Sequence, residues 1–504
     1  MTNSRIDVDL EDVRAVVHPR LFGAFVEHLG RSVYTGLYEP GHPAADADGL
    51  RTDVIALVKE LGVTTVRYPG GNFVSGYRWE EGIGPVEDRP RRLDVAWHSV
   101  ESNRFGLDEF MAWTKKTDVE PMLAVNLGTR GLENAMRLLE YCNVDTGTAL
   151  SDLRARNGSP DAHDVIFWCL GNEMDGWWQI GRKEPHDYAI LATQIARAMK
   201  QIDGRLQLAV CGSSSRGIST FGEWERVVLR ECYEFVDYIT CHAYFEQRDG
   251  DVESFLASNI DMQAMIDDVV ATIDHVRAVT RSSRQVNISF DEWNIWYNSH
   301  YPGHLRPTDV KNWPEAPRLI EDAYSVADAV ALGGLLITLI RNAGRVKAAS
   351  LAQLVNAIAP IMTEPGGPSW RQTTFFPFAQ AARLSGGEVL DLTVLADQIQ
   401  TARYGSVPAV DAVAVRVGET VTVLAVNRDA ENHHQVGVRL RGDFEIGGAR
   451  ATALYDHDLA ASNTLLNPDR VHPVDHAVAL QSSIVDVDLP PASWVVLEIT
   501  GAAS

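Results

Sequence analysis

The feature that most constrains this chain is a rhythm of short apolar runs separated by helical stretches. Eight runs recur between residues 21 and 354: Leu21–Val26, Thr64–Tyr68, Met122–Leu127, Val165–Leu170, Leu206–Cys211, Tyr238–His242, Val286–Phe290 and Lys347–Leu354. Runs this short, and apolar throughout rather than alternating, suit strands of a parallel sheet covered on both faces. Most of the stretches between them carry helical spacing. Val54, Leu57, Val58 and Leu61 fall at i, i+3, i+4 and i+7, with Thr52 or Asp53 placed to cap the start and Gly62 to end the helix. Eight strands alternating with helices predict an α/β architecture, a (β/α)8 TIM barrel spanning residues 17–375. An open doubly wound sheet is the alternative. No Gly-x-Gly-x-x-Gly follows the first run, so nothing marks a dinucleotide site. The eighth run reads as helix almost as well as strand.

The pattern changes after about residue 375. Ala412–Val417 and Val421–Val426 alternate around Gly418-Glu419, which predicts a hairpin, and Trp494–Thr500 makes a last strand. Ile6, Val8 and Leu10 alternate in the same style. We therefore expect a C-terminal antiparallel β-sandwich, residues 376–504, that also takes the N-terminal strand within residues 1–16.

Composition narrows the function classes. Apolar residues at 45% supply a large core, and 45 basic against 68 acidic residues leave a net charge of −23. So acidic a chain, with no basic run, repels phosphate backbones, and no nucleic-acid partner is expected. The longest nearly apolar run, Ala329–Ile340, is shorter than the roughly 18–20 residues a membrane helix needs. No apolar leader opens the sequence, so a cytoplasmic protein without membrane contact is expected. Five cysteines with no Cys-x-x-Cys suggest neither a disulfide framework nor a zinc ribbon.

Barrel active sites lie at the C-terminal ends of the strands. There the sequence places Glu27-His28, Arg67 with Asn72, Asn126, Asn172-Glu173, His242 with Tyr244, Asp291-Glu292, and Gln353 with Asn356. The set holds carboxylates, amides and a phenol, with no nucleophile elbow and no phosphate loop. Two carboxylates facing each other across a barrel mouth suit glycosidic-bond cleavage, where one gives a proton and the other attacks or stabilises the anomeric carbon. Glu173 follows an apolar strand, so burial and a neighbouring carboxylate favour its protonated form, as an acid requires. Glu292 must keep its charge, and Arg67 and the Tyr244 hydroxyl are placed to secure that.

At these residues the chain resembles glycoside hydrolase family 51, the α-L-arabinofuranosidases. The likeness rests on Gly171-Asn172-Glu173-Met174-Asp175-Gly176 and Phe290-Asp291-Glu292-Trp293-Asn294-Ile295-Trp296-Tyr297. It extends to Arg67-Tyr68-Pro69-Gly70-Gly71-Asn72-Phe73, Ala124–Gly131 and Leu351–Asn356. The resemblance implies an exo-acting, retaining enzyme on arabinose-containing oligosaccharides, with Glu173 as acid/base and Glu292 as nucleophile. It implies that Glu27, Asn72, Asn172, Tyr244 and Gln353 bind the furanose or position the pair, and that the protein is a homo-oligomer, often a hexamer; the residues themselves lead us to expect no metal and no cofactor. Arg67 and His242 are expected to support the carboxylates. Two features depart from the pattern: Cys241 in the sixth run, and the proline-containing segment from His300 to Glu315.

Blander readings stand beside these. Asn72 and Asn172 could satisfy turn backbones. Glu27 could pair with Arg67 rather than a sugar. Trp97, Trp177, Trp178, Trp293 and Trp296 could stack on sugar or fill the core. His28, Asp175, His242 and Asp291 invite a metal reading, but no ligand pair has metal spacing. Other glycosidase specificities, a silent carbohydrate binder and a metal-dependent hydrolase are the rival functions.

Overall fold

The computed structural model of the chain describes residues 4–301, 311–481 and 483–502. All eight apolar runs contribute parallel strands, and these close into one barrel in chain order. They are Gly23–Phe25, Thr65–Tyr68, Glu120–Ala124, Phe167–Leu170, Gln207–Val210, Tyr238–Phe245, Asn287–Ile295 and Val346–Leu351, called here barrel strands one to eight. The eighth run is strand and not helix. It carries the ladder that closes the barrel, pairing with strand seven and, through Ser350 and Leu351, with strand one. The helix Thr52–Leu61 buries the predicted face, and Gly62 ends it at φ 78°. Its start differs from expectation. Arg51 is the N-cap with no side-chain cap, the Thr52 hydroxyl donates instead to the Ala44 carbonyl, and Asp53 pairs with Arg51.

The N-terminal mouth of the barrel is plugged. Arg20 lies over the Phe167 ring, 4.4 Å from its centroid, and donates to Glu120, Gln207 and the Tyr238 hydroxyl. Chemistry is left to the opposite mouth.

The other predicted unit is a ten-stranded, mostly antiparallel sheet. The N-terminal strand Ser4–Val16 lies inside it, antiparallel to Glu388–Leu395 and parallel to His434–Arg441. The expected hairpin is Val410–Val417 with Thr420–Asn427, and Ser493–Gly501 pairs with its second strand. The sheet folds over so that Ile446–Leu454, next to one edge, meets Val478–Gln481 at the other. Ile6, Val8, Val423, Val438, Val487 and Leu497 fill the space between as a sandwich core.

The helix Val326–Arg341 joins the two units. Every residue from Val326 to Ile340 is buried, and the helix packs on three strands of the sheet as well as on the barrel. A helix apolar all round must be covered all round, which accounts for the longest apolar run in the sequence. Gly333 lets it approach closely, since a Cβ there would lie 2.4 Å from a ring carbon of Trp494. Among the described residues no helix is long and apolar enough to cross a membrane. All five cysteines are buried and unpaired, Cys241 within strand six among them.

Candidate active site

Arg67, fully buried in strand two, organises the C-terminal mouth. One amino group donates to Glu292 Oε1 at 3.0 Å, the other to Asn172 Oδ1 at 2.6 Å, and Nε lies 3.3 Å from Asp291 Oδ2. Adjacent residues of a strand ordinarily face opposite ways, yet both Asp291 and Glu292 reach Arg67. The reason is a register break in strand seven between Ser289 and Glu292 on one side and between Phe290 and Trp293 on the other. Such an irregularity re-aims a side chain, here bringing two consecutive carboxylates to the barrel interior. The second Glu292 oxygen accepts the Tyr244 hydroxyl at 2.8 Å. Burial and the flanking Glu292 and Glu173 hold that phenol well above its ordinary range, so it stays a donor.

Glu173 sits opposite, just past strand four, in the left-handed region at φ 41°. That turn lets Asn172 and Glu173 both face the mouth. Glu173 Oε2 accepts the Trp178 indole N–H at 2.7 Å, and Oε1 lies 2.9 Å from His242 Nδ1. The other ring nitrogen of His242 is 3.1 Å from Asp291. Burial, then the Glu292 charge, push the Glu173 carboxyl up. His242 is also raised well above the ordinary imidazole range: burial opposes its charge, but Glu292, Asp291 and Glu173 outweigh burial. For Asp291, burial is outweighed by Arg67 and His242, and its carboxyl is held down. The Glu173–His242 pair therefore retains a proton where a free carboxyl would have lost it.

A second cluster closes the mouth over strands one, two and eight. Glu27 Oε1 accepts the Phe73 amide at 3.0 Å and the Trp97 indole at 2.6 Å, and Oε2 accepts the Gln353 amide at 3.0 Å. Glu27 does not pair with Arg67, whose donors go to strands four and seven. Burial raises the Glu27 carboxyl well above its usual range. Gly71, at φ 61°, has to be glycine because a Cβ there would lie 2.2 Å from the Glu27 carboxyl. Asn72 joins the clusters by accepting from Asn172 at 3.4 Å.

The structure thus brings Glu27, Arg67, Asn72, Asn172, Glu173, His242, Tyr244, Glu292 and Gln353 to one mouth. Other candidates lie apart. Asn126 caps the turn after strand three by accepting from Gly128 and Thr129. Asn356 bonds Thr363 and the Arg31 carbonyl. His28 pairs with Glu101 and Tyr68, and Asp175 accepts the Ser214 amide. Trp293 is fully buried in the core and cannot stack on a ligand, whereas Trp97 and Trp178 are donors to the site's carboxylates. Residues 302–310 of the His300–Glu315 segment lie outside the described residues. Beyond them Trp313 stacks on His98, in the hairpin that carries Trp97.

The contribution of Asp291 was hidden in the sequence, because simple alternation turns it away from Glu292. Among the described residues, Glu173, His242 and Glu292 have ligand atoms spaced for a metal, all within 4.8 Å of one another. Both His242 nitrogens already face carboxylates, and Arg67 supplies positive charge next to Glu292.

Family comparisons agree with this architecture. A family model described as "Alpha-L-arabinofuranosidase 1 domain" matches residues 57–264, and "Alpha-L-arabinofuranosidase C-terminal domain" matches residues 291–493. The chain is 55% identical to an intracellular exo-α-(1→5)-L-arabinofuranosidase of Streptomyces lividans, over 98% of this chain and 75% of the relative. It is 53% identical to an exo-α-(1→6)-L-arabinofuranosidase of Bifidobacterium longum, over 99% and 98%. A solved family 51 α-L-arabinofuranosidase from Bifidobacterium longum superposes with a TM-score of 0.94 at 45% identity, covering 99% of this chain and all of that one. With a closed barrel, a folded-over sheet, matching family models and relatives 55% and 53% identical over nearly the whole chain, the chain belongs to glycoside hydrolase family 51, the exo-acting α-L-arabinofuranosidases.

Proposed function

We propose that the enzyme removes terminal non-reducing α-L-arabinofuranosyl residues from arabinan- or arabinoxylan-derived oligosaccharides with retention of configuration. The observation that carries this reading is the carboxylate separation. One carboxylate oxygen of Glu173 and one of Glu292 lie within 4.8 Å of each other, which favours the close pair of retaining sites, at roughly 5–5.5 Å, over the roughly 6.5–9.5 Å that an inverting site needs for its water.

In this mechanism a Glu292 oxygen attacks the anomeric carbon as Glu173 gives its proton to the departing glycosidic oxygen. The covalent arabinosyl–enzyme is then opened by water, which Glu173 deprotonates. Arg67 and Tyr244 hold Glu292 in place between turnovers. His242, anchored by Asp291, orients Glu173 and balances its charge as the proton moves. Glu27, Asn72, Asn172, Tyr244 and Gln353 face the ring hydroxyls. Relatives named intracellular support action inside the cell on imported oligosaccharides. The family likeness supports a homo-oligomer of up to six chains.

The test compares wild type and Glu292→Ala on 4-nitrophenyl α-L-arabinofuranoside. Turnover by the first and near-complete loss in the second are expected. NMR of the first-formed sugar should show the α anomer, and β-arabinose as the initial product would reject retention.

A further inference from the structure

A cleft of about 510 Å3 opens from the catalytic mouth, with which it shares His242 and Tyr244. Its size falls within the range of about 300–1,000 Å3 usual for small-molecule sites. Strand six forms one wall, from His242 to Phe245, and the loop 215–217 after strand five forms another. The third wall comes from the other unit: Arg403 and Tyr404, at the tip of the hairpin Gln398–Thr401 with Gly405–Pro408. Asp261 fixes that tip by accepting from Arg403 and from the Tyr404 hydroxyl, while the Arg403 amide donates to Ser254 Oγ at 3.0 Å.

Three observations point to a ligand and to its chemistry. Ser258 lines the cleft, is only 5% exposed, and its hydroxyl finds no hydrogen-bond partner among the described residues. A buried hydroxyl left unpaired is costly, and a ligand hydroxyl would satisfy it. Apart from His242, whose charge is met by Glu173, Asp291 and Glu292, charge in the lining is balanced, with Arg216, Arg248 and Arg403 set against Glu246, Asp251 and Asp261. That suits a neutral molecule rich in donors and acceptors, and not an anion. Phe245 and Tyr404 add aromatic surface of the kind a sugar's C–H face packs on, with Arg403 lying over one face of the Tyr404 ring at 5.4 Å.

The position is also specific. Of the residues proposed to hold the ring, Glu27, Asn72 and Gln353 follow strands one, two and eight, while Asn172 follows strand four beside the acid Glu173 and Tyr244 lies in strand six. The leaving oxygen lies at the Glu173 carboxyl, and Glu173 contacts His242 of strand six, which lines this cleft. Tyr244 belongs to both places, lining the cleft while its hydroxyl donates to Glu292. We propose that this cleft, completed by Arg403 and Tyr404 of the sheet unit, binds the leaving-group part of a neutral oligosaccharide chain. The proposal rests on the glycosidase reading above and adds to it the element that selects among chains and linkages.

The test uses arabinotriose and 4-nitrophenyl α-L-arabinofuranoside with wild type, Arg403→Ala and Tyr404→Ala. The ratio of kcat/KM on the trisaccharide to that on the nitrophenyl substrate should fall about tenfold in each variant, carried by KM. A ratio unchanged within twofold in both would overturn the proposal. Calorimetric binding of arabinotriose to Glu292→Ala, with and without Arg403→Ala, gives a second readout, and an equal Kd in the two proteins would also overturn it. A wild type inactive on both substrates would reject the glycosidase reading instead, and the binding measurement would still decide the cleft.

Discussion

At the scale of single residues, the proposed acid is defined by what surrounds it. Burial and the Glu292 charge raise the Glu173 carboxyl above its ordinary value. Its protonated form therefore persists upward in pH, and kcat/KM should fall only as pH climbs through that raised value. Glu173→Ala should abolish this alkaline limb and lower kcat by about 10²–10⁴-fold on oligosaccharides. The deficit should be smaller with a nitrophenyl leaving group, which departs without a proton. A pH–rate profile with its alkaline limb intact would reject the assignment. Charge in the site is balanced by Arg67 and His242, so prolonged treatment with a chelator should leave kcat unchanged, and loss restored by a divalent cation would overturn the metal-free mechanism. Glu173 and Glu292 were legible because each follows an apolar strand in a recognisable motif. Asp291 was placed at the mouth, but its pairing with Arg67 and His242 was not legible, since no sequence period announces a register break. The indole donors Trp97 and Trp178 were legible only as aromatics, because a hydrogen bond across the mouth depends on loop paths that local pattern does not encode.

At the scale of elements, strands were easier to find than their ends. Run three was placed at Met122–Leu127, but the strand is Glu120–Ala124, and Val125–Leu127 already leads into the turn capped by Asn126. Lys347–Leu354 was ambiguous because six residues of ladder bonding across the barrel are a long-range fact. The helix Val326–Arg341 shows two opposed local effects. Replacing a helical glycine with alanine ordinarily gains about 1 kcal/mol. At Gly333 the new Cβ would lie 2.4 Å from Trp494, and overpacking of this kind costs about 1–3 kcal/mol. Gly333→Ala should therefore lower stability in denaturant unfolding, whereas Gly386→Ala, at φ 79° and with open space around it, tests backbone strain alone.

At the scale of the whole molecule, barrel and sheet are tied by a buried polar knot. Arg428 donates to Asp411 at 2.6 Å and to Asn259 at 2.8 Å, and Arg341 also reaches Asp411. Asp411 stays ionised because Arg428 and Arg341 outweigh its burial. Arg428→Ala removes one of several partners of buried Asp411, which keeps Arg341 and Asn259, and should cost about 1–3 kcal/mol, seen as earlier unfolding of both units together by circular dichroism. Unfolding of the sheet alone would show that the knot does not couple them. The placement of Ser4–Val16 bears on how the chain is made. Its two neighbours, Glu388–Leu395 and His434–Arg441, are synthesised more than 370 residues later. The barrel can close once strand eight has emerged from the ribosome, but this first strand must wait with unpaired edges until the chain is nearly finished. Nascent protein is thus most open to aggregation over that interval, and slow synthesis between residues 351 and 441 should lower soluble yield without changing the finished enzyme.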